Sequence, residues 1–197
     1  MQADDTSPSL GDSGFVQLRL NAVHHFSNPQ THAFNTPYQL SIIPPKILAR
    51  ARALGSQPLS DYPKDASVSG HQLRHGDVLV FATDGVWDNL SSLDLLKIVS
   101  RHMTGFQAWE AGEKGLTVSE NIHALTQKGG IPKKYEDSLQ AALAVAITGE
   151  AKLASLNTKA DGPFAKEVQK YYPHEEFHGG KVDDICVVVA IVVKDKP

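Results

Sequence analysis

Aspartates stand at the ends of two strongly apolar segments of this 197-residue sequence. Asp84 follows Val78–Ala82, a run that is typical of a buried β-strand. Asp183 and Asp184 come directly before "ICVVVAIVV", which predicts a second buried strand. A carboxylate at the mouth of a strand is costly to desolvate unless a cation compensates its charge. These positions therefore raise the possibility of a metal site.

A third acid, Asp12, lies in "LGDSGF" beside another predicted strand. If the three strands lie side by side, their carboxylates converge at one edge of the sheet. Two bare carboxylates 4 Å apart repel each other by roughly 4 kcal/mol at an effective dielectric constant of about 20, and a divalent cation reverses that sign. A set of oxygen ligands favours Mg²⁺ or Mn²⁺ over zinc. Each aspartate alone is also compatible with an ordinary turn, so spacing leaves both interpretations open.

The remaining pattern predicts the elements that must position these acids. Strands are expected in "FVQLRLNAVHHF" and "YQLSIIPP", and a loop over residues 46–70. Apolar residues at helical spacing predict three helices. The first begins at about Ser91 and has Leu93, Leu96, Val99 and Met103 on one face. The second covers Glu136–Leu156, with Leu139, Leu143, Ile147 and Ala151 on one face, and the third begins at Pro163. Strands near both ends with helices between them favour an α+β fold.

Four motifs, in order, resemble those of the metal-dependent PP2C-type (PPM) protein serine/threonine phosphatases. They are "LGDSGF", "FNTPYQLSIIPP", "FATDGVWDNLSS" and "GGKVDDICVVVAIVV", and the second is similar to the mitochondrial PTC7-like subgroup. The resemblance implies a four-layer α-β-β-α sandwich with a binuclear Mn²⁺ or Mg²⁺ centre between its sheets. It covers residues 10–194 as a partial phosphatase domain, and residues 1–9 are expected to be disordered.

The same resemblance implies roles for individual residues. Asp84 and Asp183 correspond to metal ligands, and Asp12 to the aspartate that binds a looser third ion in some members. Asp184 is expected to support Asp183, and Gly85 and Asp88 are expected to be structural. In the family mechanism no side chain acts as the nucleophile. A water between two metal ions attacks the phosphorus of phosphoserine or phosphothreonine in a phosphoprotein substrate.

The sequence also departs from the family pattern. It contains no "DGVGG"-like segment, whose aspartate bridges the two metals in the family, and no matching arginine upstream for the substrate phosphate. The resemblance is therefore to the C-terminal part of the domain, without the N-terminal portion. A truncated, non-catalytic pseudophosphatase that acts as a binding fragment is the alternative function.

Two other phosphatase chemistries do not fit the sequence. A tyrosine-phosphatase nucleophile at Cys186 requires an arginine about six residues later, and Val192 stands there. A haloacid-dehalogenase site requires an acid two residues before Asp84, and Ala82 stands there.

Composition excludes several partners. The net charge of −3 gives no basic surface for nucleic acid. The longest wholly apolar run, Ile185–Val193, is far shorter than the roughly 20 residues of a membrane span. No targeting peptide is recognised at the N-terminus. The single cysteine fits a reducing compartment, which predicts an intracellular protein, and only the resemblance points to the mitochondrion. The oligomeric state stays open.

Overall fold

The computed structural model describes residues 3–56, 58–113, 115–132 and 137–194. Its strands are β1 (Ala3–Ser9), β2 (Gly14–Arg19), β3 (Ala22–Phe26), β4 (Thr31–Ala33), β5 (Thr36–Pro37), β6 (Ser67–Leu73), β7 (Val78–Ala82), β8 (Trp109–Gly112), β9 (Gly115–Val118) and β10 (Val187–Ile191). Its α-helices are α1 (Pro45–Ala53), α2 (Asp84–Trp87), α3 (Ser92–Gly105), α4 (Ile122–Leu125), α5 (Leu139–Ser155) and α6 (Pro163–Tyr171). A short 3₁₀ turn covers Pro63–Asp65.

A four-stranded antiparallel sheet forms the centre of the fold, in the order β10-β7-β2-β3. The predicted strand or hairpin in "FVQLRLNAVHHF" is a hairpin of β2 and β3. Its turn residues, Leu20 and Asn21, both have positive φ angles, of 45° and 64°. This backbone geometry suits the tight turns whose twist matches that of the flanking strands.

The two faces of the sheet have different neighbours because side chains alternate along a strand. Val16 and Leu18 on β2 are fully buried in the main core with residues of α3 and α5. On the opposite face, Phe15 packs against His71 of β6. Helices, sheet and the β1–β6 ribbon are therefore three successive layers, in the order expected for the sandwich.

Residues 3–9 form a strand where the sequence predicted disorder for residues 1–9; residues 1–2 lie outside the described part. β1 pairs antiparallel with β6 along its whole length, from Ala3 opposite Leu73 to Ser9 opposite Ser67. The partner strand is some sixty residues away in sequence. Because pairing with such a distant strand makes this polar segment a β-strand, its own sequence gives no local signal for one.

Asp77 ties this ribbon to the sheet. Its carboxylate, which is fully buried, accepts hydrogen bonds from Arg19 Nε at 2.6 Å and Gln17 Nε2 at 2.8 Å. Both of those side chains also donate to the carbonyl oxygen of Gln72 in β6. One buried acid therefore holds β2, β6 and the start of β7 together.

The helix predictions are confirmed in position and partly in orientation. The expected face of α5 (Leu139, Leu143, Ile147 and Ala151) is fully buried. Its predicted start at residue 136 lies outside the described residues. α3 begins after Ser91, which caps it as expected. Its predicted face is wrong at Leu93, which is exposed, because the helix buries Leu95, Ile98, Val99 and Met103.

Three strand and loop predictions were wrong. β10 was expected to be buried, but it is an edge strand and Val188 is 58% exposed, because among the described residues the ribbon beside the central sheet has only two strands, β1 and β6. The segment "YQLSIIPP" forms only an isolated bridge between Leu40 and Asp61. Residues 46–70, expected to be a loop, contain most of α1, the 3₁₀ turn and part of β6.

No helix within the described ranges is both long and apolar enough to cross a bilayer.

We expect Asp77→Ala to lower the free energy of unfolding by about 3–5 kcal/mol, because it leaves the largely enclosed guanidinium of Arg19 and the buried amide of Gln17 without their acceptor. Glu150→Ala is the control, since its ion pair with Arg101 is exposed and should contribute less than about 1 kcal/mol. Urea denaturation at neutral pH measures both losses. A loss at Asp77 no larger than that of the control would contradict the proposed tie.

Candidate metal centre

The pairing of β7 brings three acidic segments to one rim of the sheet. Ala82, its last residue, pairs with Val187 of β10 on one side and with Gly14 of β2 on the other. The chain therefore leaves β7 through Asp84 at the same rim of the sheet where Asp183 precedes β10 and Asp12 precedes β2. The convergence that the sequence predicted is confirmed for Asp84 and Asp183.

The carboxylates of Asp84, Asp88 and Asp183 form a close group, in which one oxygen from each lies within 4.8 Å of the others. All three side chains are partly exposed, at 32%, 20% and 33%. Asp88 belongs to this group although the resemblance implied a structural role for it. We call these three residues the acidic cluster.

Asp12 lies near the acidic cluster but outside it. It lines the same cleft as Asp84 and Asp88, and its charge contributes to a raised pKa at Asp84. Asp184 contributes through its main chain, because its carbonyl oxygen accepts a hydrogen bond of 2.9 Å from the Thr83 hydroxyl. The side chain of Asp184 is exposed.

Gly85 allows the two motifs to approach closely. A Cβ atom at this position would overlap the carbonyl oxygen of Asp184. The Thr83 hydroxyl, which donates to that same carbonyl, also accepts a hydrogen bond of 3.0 Å from the Cys186 main-chain N–H. The start of α2 therefore packs directly on the chain that leads into β10.

A lysine lies among the three acids. Lys181 Nζ is 2.6 Å from Asp88 Oδ2, 3.0 Å from Asp183 Oδ2 and 3.7 Å from Asp84 Oδ2. It also lies 4.7 Å from the centre of the Phe164 ring, within the range of a cation–π contact. A cation thus already occupies the acidic cluster, and it is supplied by the chain itself.

Asn89 fixes the main chain of this lysine. Its side-chain amide donates to the Lys181 carbonyl oxygen at 2.8 Å, and its Oδ1 accepts from the Lys181 main-chain N–H at 2.9 Å. The same amide donates to the Gly85 carbonyl oxygen at 2.9 Å. Asn89 is buried, so these bonds join two segments 92 positions apart in a water-poor environment.

The electrostatics of the cluster follow from burial and like charges. Burial, together with the negative charges of Asp183 and Asp12, raises the pKa of Asp84. Burial also raises the pKa of Asp88, despite its bond to Lys181. The bond to Lys181 lowers the pKa of Asp183. Burial would lower the pKa of Lys181, but its bonds to Asp88 and Asp183 outweigh that effect and raise it.

A cleft of about 930 Å³ opens beside the acidic cluster. Aromatic side chains dominate one wall, where Phe34 packs against Phe164 at 5.5 Å and Tyr171 at 5.2 Å between ring centroids. Trp87 also lines the cleft and is anchored by a hydrogen bond from its indole N–H to the Ala82 carbonyl oxygen. The cleft is therefore acidic at one end and aromatic along its side.

Sequence comparison relates the chain to protein phosphatases. It is 33% identical over 190 residues to the 5-azacytidine resistance protein azr1 of Schizosaccharomyces pombe, and 36% identical over 185 residues to the protein phosphatase PTC7 homolog fig of Drosophila yakuba. It is 30% identical over 184 residues to protein phosphatase 2C homolog 7, mitochondrial, of Saccharomyces cerevisiae. The chain is homologous to the PTC7 group of PP2C-type phosphatases.

These three alignments cover 96%, 93% and 93% of the chain, but 51%, 46% and 45% of the respective relatives. The chain thus spans about half the length of the relatives it matches. No family model matches it.

A solved structure confirms the fold. The X-ray structure of the photosystem II phosphatase PBCP superimposes with a TM-score of 0.65 at 23% identity, covering 96% of this chain and 59% of PBCP. The PP2C-type α+β architecture expected from the sequence is therefore present in the part that matches.

Sequence reasoning missed three residues that organise the site. Lys181 stands two positions before Asp183 and is the single basic residue of "GGKVDDI", which was the available signal. Asn89 follows Asp88 directly. Asp161 accepts hydrogen bonds from Gln169 and from the Gly179 main chain, and so joins the start of α6 to the loop that leads to Asp183.

We expect Gly85→Ala to lower the free energy of unfolding by about 1–3 kcal/mol, because the new methyl group meets the Asp184 main chain. Gly149→Ala is the matched control. A Cβ there, within α5, meets nothing within 4 Å and should stabilise the helix by about 0.5–1 kcal/mol. Opposite shifts in melting temperature are expected, and equal shifts would exclude the close approach as the reason for glycine at position 85.

We also expect Asp161 to contribute to acid stability. Hydrogen bonds from Gln169, the Gly179 N–H and His178 lower the pKa of Asp161 from 3.8 to about 2. A lowered pKa stabilises the fold at pH values above 3.8, and this contribution disappears as the pH falls towards 2. Asp161→Asn should therefore unfold with a weaker dependence on pH in this window. Parallel stability curves for the two proteins, followed by circular dichroism, would be evidence against the assignment.

Proposed function

We propose that this chain belongs to a metal-dependent protein phosphatase that hydrolyses phosphoserine and phosphothreonine in a phosphoprotein. One observation carries the proposal. The chain brings Asp84, Asp88 and Asp183 together at the rim of a sheet that matches PP2C-type phosphatases in both sequence and fold. Carboxylates this close repel one another, and a divalent cation would turn that repulsion into attraction.

The residues of the cluster fit a hard divalent ion, Mn²⁺ or Mg²⁺. The donor set consists of carboxylate oxygens, which such ions prefer, and it already surrounds a positive charge at Lys181. Asp84 and Asp183 would be the ligands, with Asp88 beside them, and Asp12, which lines the same cleft, would serve a further ion. A pair of such ions would supply positive charge for the phosphoryl oxygens and a more acidic water as nucleophile.

The remaining side chains would position the substrate. The cleft beside the cluster is wide enough for a phosphorylated side chain with its neighbours. Its aromatic wall would exclude water from one side of the phosphate, and Trp87 also lines the cleft. Gly85 and Asp184 hold the two ligand segments against each other through the main chain.

A non-catalytic binding fragment is the second candidate. It is favoured by one observation: Lys181 Nζ already lies within the acidic cluster, 2.6 Å from Asp88 Oδ2 and 3.0 Å from Asp183 Oδ2. A cluster whose charge is offset by a lysine of the same chain can be stable without a metal ion. A mitochondrial location is also proposed, supported by the name of the yeast relative.

The decisive assay follows phosphate release from a phosphothreonine peptide in millimolar Mn²⁺. We expect the 197-residue chain to hydrolyse it slowly, and Asp84→Asn to reduce that rate by at least about tenfold through loss of a ligand. Asp65→Asn is the control, because Asp65 lies in the 3₁₀ turn outside the acidic cluster.

Three outcomes separate the candidates. Turnover that needs Mn²⁺ and is lost in Asp84→Asn supports the phosphatase. Binding of Mn²⁺ without turnover supports the binding fragment. Failure to bind Mn²⁺ in calorimetry contradicts the metal centre itself.

A further inference from the structure

One oxygen of each acid in the acidic cluster faces Lys181, and in Asp84 and Asp183 the other oxygen accepts a main-chain hydrogen bond. Asp84 Oδ1 accepts a hydrogen bond from the Gly85 N–H at 2.9 Å, and Asp183 Oδ1 accepts one from the Asp184 N–H at 2.8 Å. The second oxygen of each carboxylate, Oδ2, points at the lysine ammonium. Asp88 also presents its Oδ2 to that ammonium.

A divalent ion and the lysine ammonium compete for these oxygens, because two positive charges held a few ångströms apart repel each other. Mg²⁺ lies about 2.0–2.1 Å from its oxygen ligands, and larger divalent ions lie a few tenths of an ångström further away. Lys181 Nζ is already 2.6 Å from Asp88 Oδ2 and 3.0 Å from Asp183 Oδ2, the separations of strong charged hydrogen bonds. An ion bound to the same atoms would lie against the ammonium, and both charges are positive.

We propose that Lys181 is a built-in counter-ion of the cluster, and that a divalent metal enters by displacing its ammonium. This inference rests on the proposed metal centre. The exchange moves only the side chain of Lys181, because the two hydrogen bonds to buried Asn89 hold its main chain in place. The Phe164 ring, 4.7 Å from the ammonium, offers a surface next to which the displaced charge can stay.

The counter-ion has two opposite effects. Without metal it offsets part of the repulsion among Asp84, Asp88 and Asp183, and so stabilises the folded chain. With metal it is a competitor, so it weakens the apparent affinity for the ion. Removing the positive charge should therefore separate two quantities that normally change together, the stability of the metal-free protein and its affinity for metal.

The test compares the wild-type chain with Lys181→Met, which keeps an unbranched side chain only one atom shorter and removes its charge. Calorimetry with Mn²⁺ alone should show affinity about tenfold higher in the variant. The melting temperature of the metal-free variant should be lower than that of the wild type, and its rise on adding Mn²⁺ should be larger. Lys170→Met is the control, since Lys170 forms an exposed pair with Glu167 on α6 and should change neither quantity.

The wild-type chain provides a second measurement should Lys181→Met fold poorly. Reductive methylation followed by mass spectrometry reports the accessibility of each lysine amine. Lys181 should be protected without metal and become more reactive with Mn²⁺, while Lys170 should react equally in both.

The outcomes distinguish this inference from the proposed function. Binding of Mn²⁺ by the wild type, with equal or weaker binding by Lys181→Met, overturns the exchange and leaves the metal centre standing. Unchanged labelling of Lys181 on saturation with Mn²⁺ overturns the exchange as well. Lack of Mn²⁺ binding by both proteins overturns the metal centre and the exchange together.

Discussion

The site depends on one strand being paired on both sides. β7 is hydrogen-bonded to β2 and β10, and its last residue, Ala82, faces a residue of each. Antiparallel pairing makes the end of one strand the beginning of its neighbour, so acids that follow β7 and precede β10 must share a rim. The main core is packed beneath the same strand through Val78 and Val80. Stability and site geometry therefore come from the same backbone hydrogen bonds.

That arrangement creates a problem of charge, and the chain contains its own compensation. Three carboxylates within 4.8 Å of one another would repel strongly in a partly buried position. The ammonium of Lys181 offsets this repulsion, and hydrogen bonds from Asn89 fix the position of the Lys181 main chain. Gly85 lets the two segments approach closely enough for these contacts to form. The cluster is thus a network in which removing one member changes the environment of the others.

Sequence reasoning succeeded where the signal is local or where strand ends fix position. The period of Leu139, Leu143, Ile147 and Ala151 predicted the buried face of α5 correctly, because helical spacing alone decides it. The convergence of Asp84 and Asp183 followed from the two apolar strands. The position of Lys181 within the acidic cluster could not be predicted, since it depends on contacts with Asn89 and Asp88, which are more than ninety positions away in the sequence. The predictions that residues 1–9 are disordered and that β10 is buried were wrong for the same reason. The structure of both segments is set by which other strand lies against them.

The position of β10 in the sheet has a consequence for synthesis of the chain on the ribosome. Thr83 and Asp184, which are hydrogen-bonded in the folded protein, are 101 positions apart. At about 5–20 residues per second, roughly 5–20 s pass between the emergence of the two segments. During that interval β2 and β7 can already pair, while the valine-rich outer edge of β7 has no partner. Unpaired edges of this kind are where nascent chains associate with one another. The last strand of the sheet therefore also protects the edge of β7 from pairing with another chain.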